Sequence, residues 1–109
     1  MAAAGSEMDD GDLVRVLKAL ADPNRFRMVQ EISAAKELSC GALAELFQLS
    51  QPTISHHLKI LTDAKIINVR HAAKHHFLSV NQALVDAVAQ LLPARFSPVR
   101  KTAKRASAK

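Results

Sequence analysis

The sequence predicts a mainly α fold with one β-hairpin: four helices, two strands and a fifth helix (α-α-α-α-β-β-α). Three observations lead there. Apolar residues recur at the i, i+3, i+4, i+7 spacing of one buried helical face in Leu13, Val16, Leu17 and Leu20. Asp22, Ser39, Ser50 and Asn81 stand as N-caps directly before helical segments. Between residues 66 and 80 the pattern changes to alternation, with a break before His75.

At 109 residues and 49% apolar content, the chain suits one domain with one small core. It has no Trp or Tyr and four Phe, so aliphatic side chains must fill that core. No apolar run approaches the ~20 residues that a membrane span needs. The start, MAAAGSEMDDGD, lacks a basic stretch followed by an apolar one, so neither a secretory signal nor a transit peptide is expected. A single cysteine closes no internal disulfide, which suits a reducing, cytoplasmic location.

In order along the chain, residues 1–11 read as a disordered arm and the first helix is expected from Asp12. Asp22 followed by Pro23 is a cap with proline at the first helical position. The second helix then runs to Ala35 and is expected to bury Phe26, Val29 and Ile32. Ser39 caps a short third helix with Leu43, Leu46 and Phe47 inward. Gln48-Leu49-Ser50 is a tight turn, and Ser50 caps a fourth helix over 51–64. Ile66–Arg70 and His75–Val80 are the two strands. Asn81 caps a last helix over 82–92, with Pro93 as its stop. The folded domain is thus expected over 12–92. Residues 93–109 have almost no apolar bulk and should be a disordered basic tail.

Helices three and four, joined by a three-residue turn, make a helix-turn-helix. Ala44 is small where the two must approach, and Ile54 fills the gap between them. The basic hairpin that follows makes the unit a winged helix-turn-helix.

The net charge of +5 is unevenly placed. Residues 93–109 carry Arg95, Arg100, Lys101, Lys104, Arg105 and Lys109 without an acid, whereas residues 1–92 have nine basic and ten acidic side chains. Within the latter, positions 50–82 hold Lys59, Lys65, Arg70, Lys74 and all five histidines against Asp63 alone. A polyanion is the natural partner.

On the fourth helix, at ~100° per residue, Ile54, Leu58 and Leu61 define the inward face. Pro52, His56 and Lys59 lie opposite, flanked by Thr53 and Ser55. An outward polar set near the helix start is what a recognition helix presents to the major groove of double-stranded DNA. Gln51 can pair with adenine, Thr53 can meet a thymine methyl, and Ser55 can donate to a base or phosphate. The DNA-binding set read from the sequence is Ser50, Gln51, Pro52, Thr53, Ser55, His56 and Lys59, with Arg70 and Lys74 on the wing. His57 lies beside the apolar face and reads as half-buried, a packing and hydrogen-bonding residue. The two adjacent histidines diverge by ~100°, so they cannot share one metal ion, which on a helix takes i, i+4 pairs.

The segments LKALADPNRFRMVQEI, LSCGALAELFQLSQPTISHHLKILTDAKII and VRHAAKHHFLSV resemble the ArsR/SmtB family of bacterial repressors over residues 12–92. The resemblance includes an ADP-x-R turn (Ala21 to Arg25) and an S-x-HL recognition-helix motif (Ser55 to Leu58). It implies a homodimer that binds an operator, blocks transcription and, in many members, releases DNA when an inducer binds. The family usually places Gly in the helix-turn-helix turn, at the end of helix four and at the wing tip. Here those positions hold Gln48, Lys65 and Ala72-Ala73, which become expected points of strain, since Gly relieves positive φ.

The family's arsenic sensors carry Cys-x-Cys on the third helix. This chain has Ser39 and Gly41 at those positions, with Cys40 between them reading as a small buried hydrophobe. The family's zinc site on the last helix needs histidines, and this helix offers only Asp86. No metal or cofactor is therefore assigned. His71, His75 and His76 leave open a metal-responsive wing, although alternation lets only two of them share a face. A Gly-rich phosphate loop, a carboxylate pair and a nucleophile–His–acid set are all lacking, so the chain is not read as an enzyme.

The last helix, QALVDAVAQLL, is apolar around most of its circumference and so must be buried on two sides. Helices one and five are the expected dimer interface, through Leu13, Leu17, Leu84, Val88 and Leu91. The reading is a homodimeric repressor that binds a palindromic operator. A winged-helix module that binds protein and no specific DNA stands as the alternative from another class.

Overall fold

The computed structural model describes residues 8–98. Five helices and three strands follow in order: α1 (Asp10–Leu20), α2 (Pro23–Ala35), β1 (Leu38–Ser39), α3 (Cys40–Phe47), α4 (Gln51–Asp63), β2 (Ile67–Ala72), β3 (His75–Val80) and α5 (Gln82–Arg95). The expected caps are in place. Asp22, Ser39, Ser50 and Asn81 each accept a backbone N–H from the first turn of the helix they precede.

One end differs from expectation at the start of the chain. Helix α1 begins at Asp10, two residues before Asp12. Asp9 is its N-cap: its carboxylate accepts from the Asp12 N–H at 2.8 Å, and Asp12 returns the favour to the Asp9 N–H at 3.3 Å. This reciprocal box satisfies two donors that the helix end leaves open. Met8 is buried as well. Residues 8–11 therefore belong to the fold, and the remainder of the expected arm lies outside the described residues.

At the other end Pro93 does not stop α5, which runs on to Arg95. Proline removes one intrahelical donor, but the last turn is held by other bonds. The Phe96 N–H donates to Leu92 and Pro93, and the Arg95 side chain donates to Asp10 at 2.6 Å and to the Met8 carbonyl at 3.5 Å. Arg95 thus ties the two ends of the domain together and is not part of a free tail. Residues 99–109 of that expected tail lie outside the described residues.

A third strand accompanies the hairpin. β1 pairs antiparallel with β3, Leu38 opposite Leu78 and Ser39 opposite Phe77, so the sheet order is β1-β3-β2 with β3 central. β2 starts one residue later than expected and continues to Ala72, leaving Ala73-Lys74 as the hairpin turn.

Met28, Ile32, Leu43, Ile54, Leu61, Ile66 and Leu78 fill the centre of the core. Three residues expected inside face outward: Leu17, Leu46 and Phe26, the last 53% exposed. Helix α2 is apolar on two sides, and Met28 with Ile32, one turn apart, takes the core side that Phe26 and Val29 were expected to fill.

The positions expected to be strained are strained. Gln48, Lys65 and Ala73 have φ of 53°, 66° and 56°, and Lys36 joins them at 69°. At the end of α4 the Lys65 N–H donates to Thr62 and the Ile66 N–H to Leu61. That is the paired Schellman termination, which normally takes Gly at the position Lys65 holds.

Candidate nucleic-acid interface

Helix α3 ends on Gln48 in the left-handed conformation, its N–H donating to Ala44 at 2.9 Å. The chain then reverses through Leu49 and enters α4 at Ser50. The Ser50 hydroxyl accepts from the Thr53 N–H at 3.3 Å and lies 2.9 Å from the Thr53 hydroxyl. Pro52 sits in the first turn, where no intrahelical donor is required.

Ile54, Leu58 and Leu61 turn inward with His57. Gln51, Pro52, Thr53, Ser55, His56 and Lys59 are exposed. The structure therefore brings the α4 residues expected to face DNA onto one open surface, with Ser50 at its edge. The positive end of the helix dipole points the same way and favours a nearby phosphate. Lys59 shares its charge with Asp63 through an i, i+4 pair at 3.2 Å, an exposed contact of small energetic weight.

His57 is more deeply placed than the half-burial expected, at 9% exposure. Its Nδ1 lies 3.4 Å from a guanidinium nitrogen of Arg25. Nearby, the Asp22 carboxyl is held below its usual range, first by the hydrogen bond from the Arg25 backbone N–H.

On the wing, the two expected cations differ. Lys74 is exposed at the turn. Arg70 makes a forked ion pair with Glu37 at 2.9 and 2.8 Å and lies over the Phe77 ring at 4.7 Å. The pair holds the Glu37 carboxyl below its ordinary range, first through the hydrogen bond from Arg70. Glu37 was missed from the sequence. It stands 33 positions from Arg70 and meets it because Ser39 and Arg70 both face Phe77, from opposite sides of β3.

His71 and His76 sit opposite each other on the hairpin with ring centroids 4.3 Å apart, while His75 lies nearer Phe77 on the other face. Among the described residues, no three His, Cys, Asp or Glu side chains gather as a metal site would require. Cys40 is half-buried at the start of α3, and burial pushes its thiol pKa up, away from the reactive thiolate.

The residues expected at the dimer face differ in exposure within the protomer. Leu13 and Val88, 3% and 9% exposed, are packed within the protomer and have little surface left for a second copy. Leu17 is open, and Leu84 and Leu91 are half-buried. Val14 and Phe26 add exposed apolar surface. Phe26 lines an apolar groove of about 270 Å³ between α1, α2 and α5, with Leu20, Val29 and Val85. Among the described residues, no helix is long and apolar enough to cross a membrane.

Comparison with known proteins agrees with this geometry. Residues 20–70 match the family described as Helix-turn-helix domain. The chain is 36% identical over 81 residues to the arsenical resistance operon repressor of Staphylococcus aureus, covering 74% of this chain and 77% of that one. The chain belongs to the ArsR/SmtB family of winged helix-turn-helix regulators. As such it is a DNA-binding transcriptional regulator and not an enzyme. Another relative is the transcriptional activator HlyU of Vibrio cholerae, 31% identical over 86 residues and 79% of each chain. Among solved structures, an ArsR-like transcriptional regulator from Rhodococcus superposes with a TM-score of 0.75 over 90% of this chain and 89% of that one. At 21% identity, that match speaks to the fold.

Proposed function

We propose that this ArsR/SmtB protein is a cytoplasmic repressor that occupies a palindromic operator as a homodimer, with α4 in the major groove and the wing against the flanking backbone. The observation that carries this reading is the polar face of Gln51, Thr53, Ser55 and His56, held open at the start of a helix whose back is buried. The dimer is supported by exposed Phe26 in the apolar groove and by exposed Val14 and Leu17 on α1. Apolar surface of this kind marks a docking face, and two-fold pairing places two recognition helices one DNA turn apart, ~34–36 Å. Basic residues beyond the described part, Arg100, Lys101, Lys104, Arg105 and Lys109, add phosphate contacts that do not depend on sequence.

The test is to sequence the genomic fragments that the purified full chain retains, with its mass in solution measured in parallel. A shared palindrome upstream of a gene that is silenced when the protein is present, bound by a dimer, supports the reading. Retention without any shared sequence favours a protein-binding winged helix. Raised transcription from the bound promoter makes the protein an activator.

A further inference from the structure

The side chain of Arg25 reaches three helices. Its backbone lies in the first turn of α2, its Nε donates to the Ala19 carbonyl at 2.6 Å, and its Nη2 donates to the Lys18 carbonyl at 3.3 Å. Those carbonyls belong to the last turn of α1; the Lys18 carbonyl also accepts the Ala21 N–H at 3.2 Å, so the Arg25 bonds add to the helix's own termination. The third nitrogen, Nη1, lies 3.4 Å from Nδ1 of His57 on the buried side of α4. A guanidinium only donates, so this contact forms when His57 is neutral with its proton on Nε2.

The rest of what holds α4 in place is different in kind. Ile54, Leu58 and Leu61 attach it by apolar burial, which has no direction of its own. Among the described residues, the side-chain hydrogen bonds that run from α4 to α1 or α2 are confined to the Arg25–His57 pair. A polar joint of this sort can set the rotation and axial position of a helix that packing alone would leave adjustable.

We propose that Arg25 is a positioning residue for DNA reading. Through His57 it locks the recognition helix to the ends of α1 and α2, so that the outward face of α4 meets base edges in register. The proposal rests on α4 being the recognition helix. Because α1 also carries Val14 and Leu17 of the proposed dimer face, the same joint relates the orientation of α4 to that of the partner subunit.

Two substitutions in the full-length protein separate positioning from bulk stability. His57→Leu removes the acceptor while filling the space with an apolar side chain beside Ile54 and Leu58. Arg25→Lys keeps the charge but replaces the three-way fork with one ammonium. The probes are a duplex enriched from a random pool by the wild-type protein and a scrambled duplex of equal length. His57→Leu should melt near the wild-type temperature, yet the ratio of enriched to scrambled affinity should fall about tenfold, as when one base contact is lost. Arg25→Lys should lower the ratio similarly, and the double variant should be no worse than either single one, because both break one joint.

The proposal is overturned if His57→Leu keeps the wild-type ratio. It is also overturned if the two losses multiply in the double variant, or if affinity for both duplexes falls equally along with the melting temperature. A wild-type protein with no preference for its enriched duplex would remove the recognition-helix reading itself, and this proposal with it.

Discussion

Helix α4 and the wing hold their polar side chains in opposite ways. Helix α4 is fixed from behind, by Ile54, Leu58 and Leu61 in the core and by His57 against Arg25, and its outer face is free. The wing is fixed from its own surface, where Arg70 is held by Glu37 and stacked on Phe77, and its turn bends through Ala73 at φ 56°. A side chain whose helix is set by the core can meet a base edge repeatably. A cation on an exposed strand suits phosphates better, where position matters less, and Arg70 meets one more readily once it leaves Glu37.

Removing the anchor behind α4 should produce the largest effect. His57→Ala takes away a buried ring and, unlike leucine at this position, leaves its space unfilled, at about 1–3 kcal/mol of stability. In thermal melting that corresponds to several degrees for a domain of this size. A variant that melts like the wild type would mean that α4 is not anchored there.

The strained turns come next. Lys65→Gly at the end of α4 and Ala73→Gly in the wing each relieve a positive φ, and each should stabilise the fold by roughly 0.5–1 kcal/mol after the added freedom of the unfolded chain is counted. Denaturant unfolding measures both. If either glycine destabilises, its turn does not hold the conformation described.

These turns show how much was legible beforehand. Gln48, Lys65 and Ala73 were marked by the absence of an expected Gly, and the four caps by their residue type, because both features depend on local backbone geometry. The same holds for the outward face of α4, which follows from helical period alone. Lys36 carried no such mark. Strand β1 has two residues, too few for alternation to register. Phe26 and Met28 lie on opposite sides of one helix, and only the packing of α1, α3 and the sheet chooses between them. The Arg70–Glu37 pair depends on the sheet order, which nothing near either residue encodes.

That pair gives the smallest expected effect. Glu37→Gln should release Arg70 toward phosphate and steepen the slope of log K against log salt by up to ~0.9. The sign with pH follows from the lowered Glu37 pKa. The contribution of the pair to stability is present above the ordinary carboxylate range and is lost as pH falls through the lower, folded-state value. Acidification should therefore weaken the pair in the wild type and have no such effect in Glu37→Gln. An unchanged salt slope would mean that Arg70 does not reach DNA.

His56 tests the reading of α4 most directly, since it is exposed beside the buried His57. His56→Ala is to be compared with the wild type by thermal melting and by binding to an enriched palindrome and to random duplex. Melting should be unchanged, binding to the palindrome should weaken by about 1–3 kcal/mol, and binding to random duplex should change much less. Unfolding of His56→Ala, or undiminished binding to the palindrome, would contradict an α4 that reads DNA with this face.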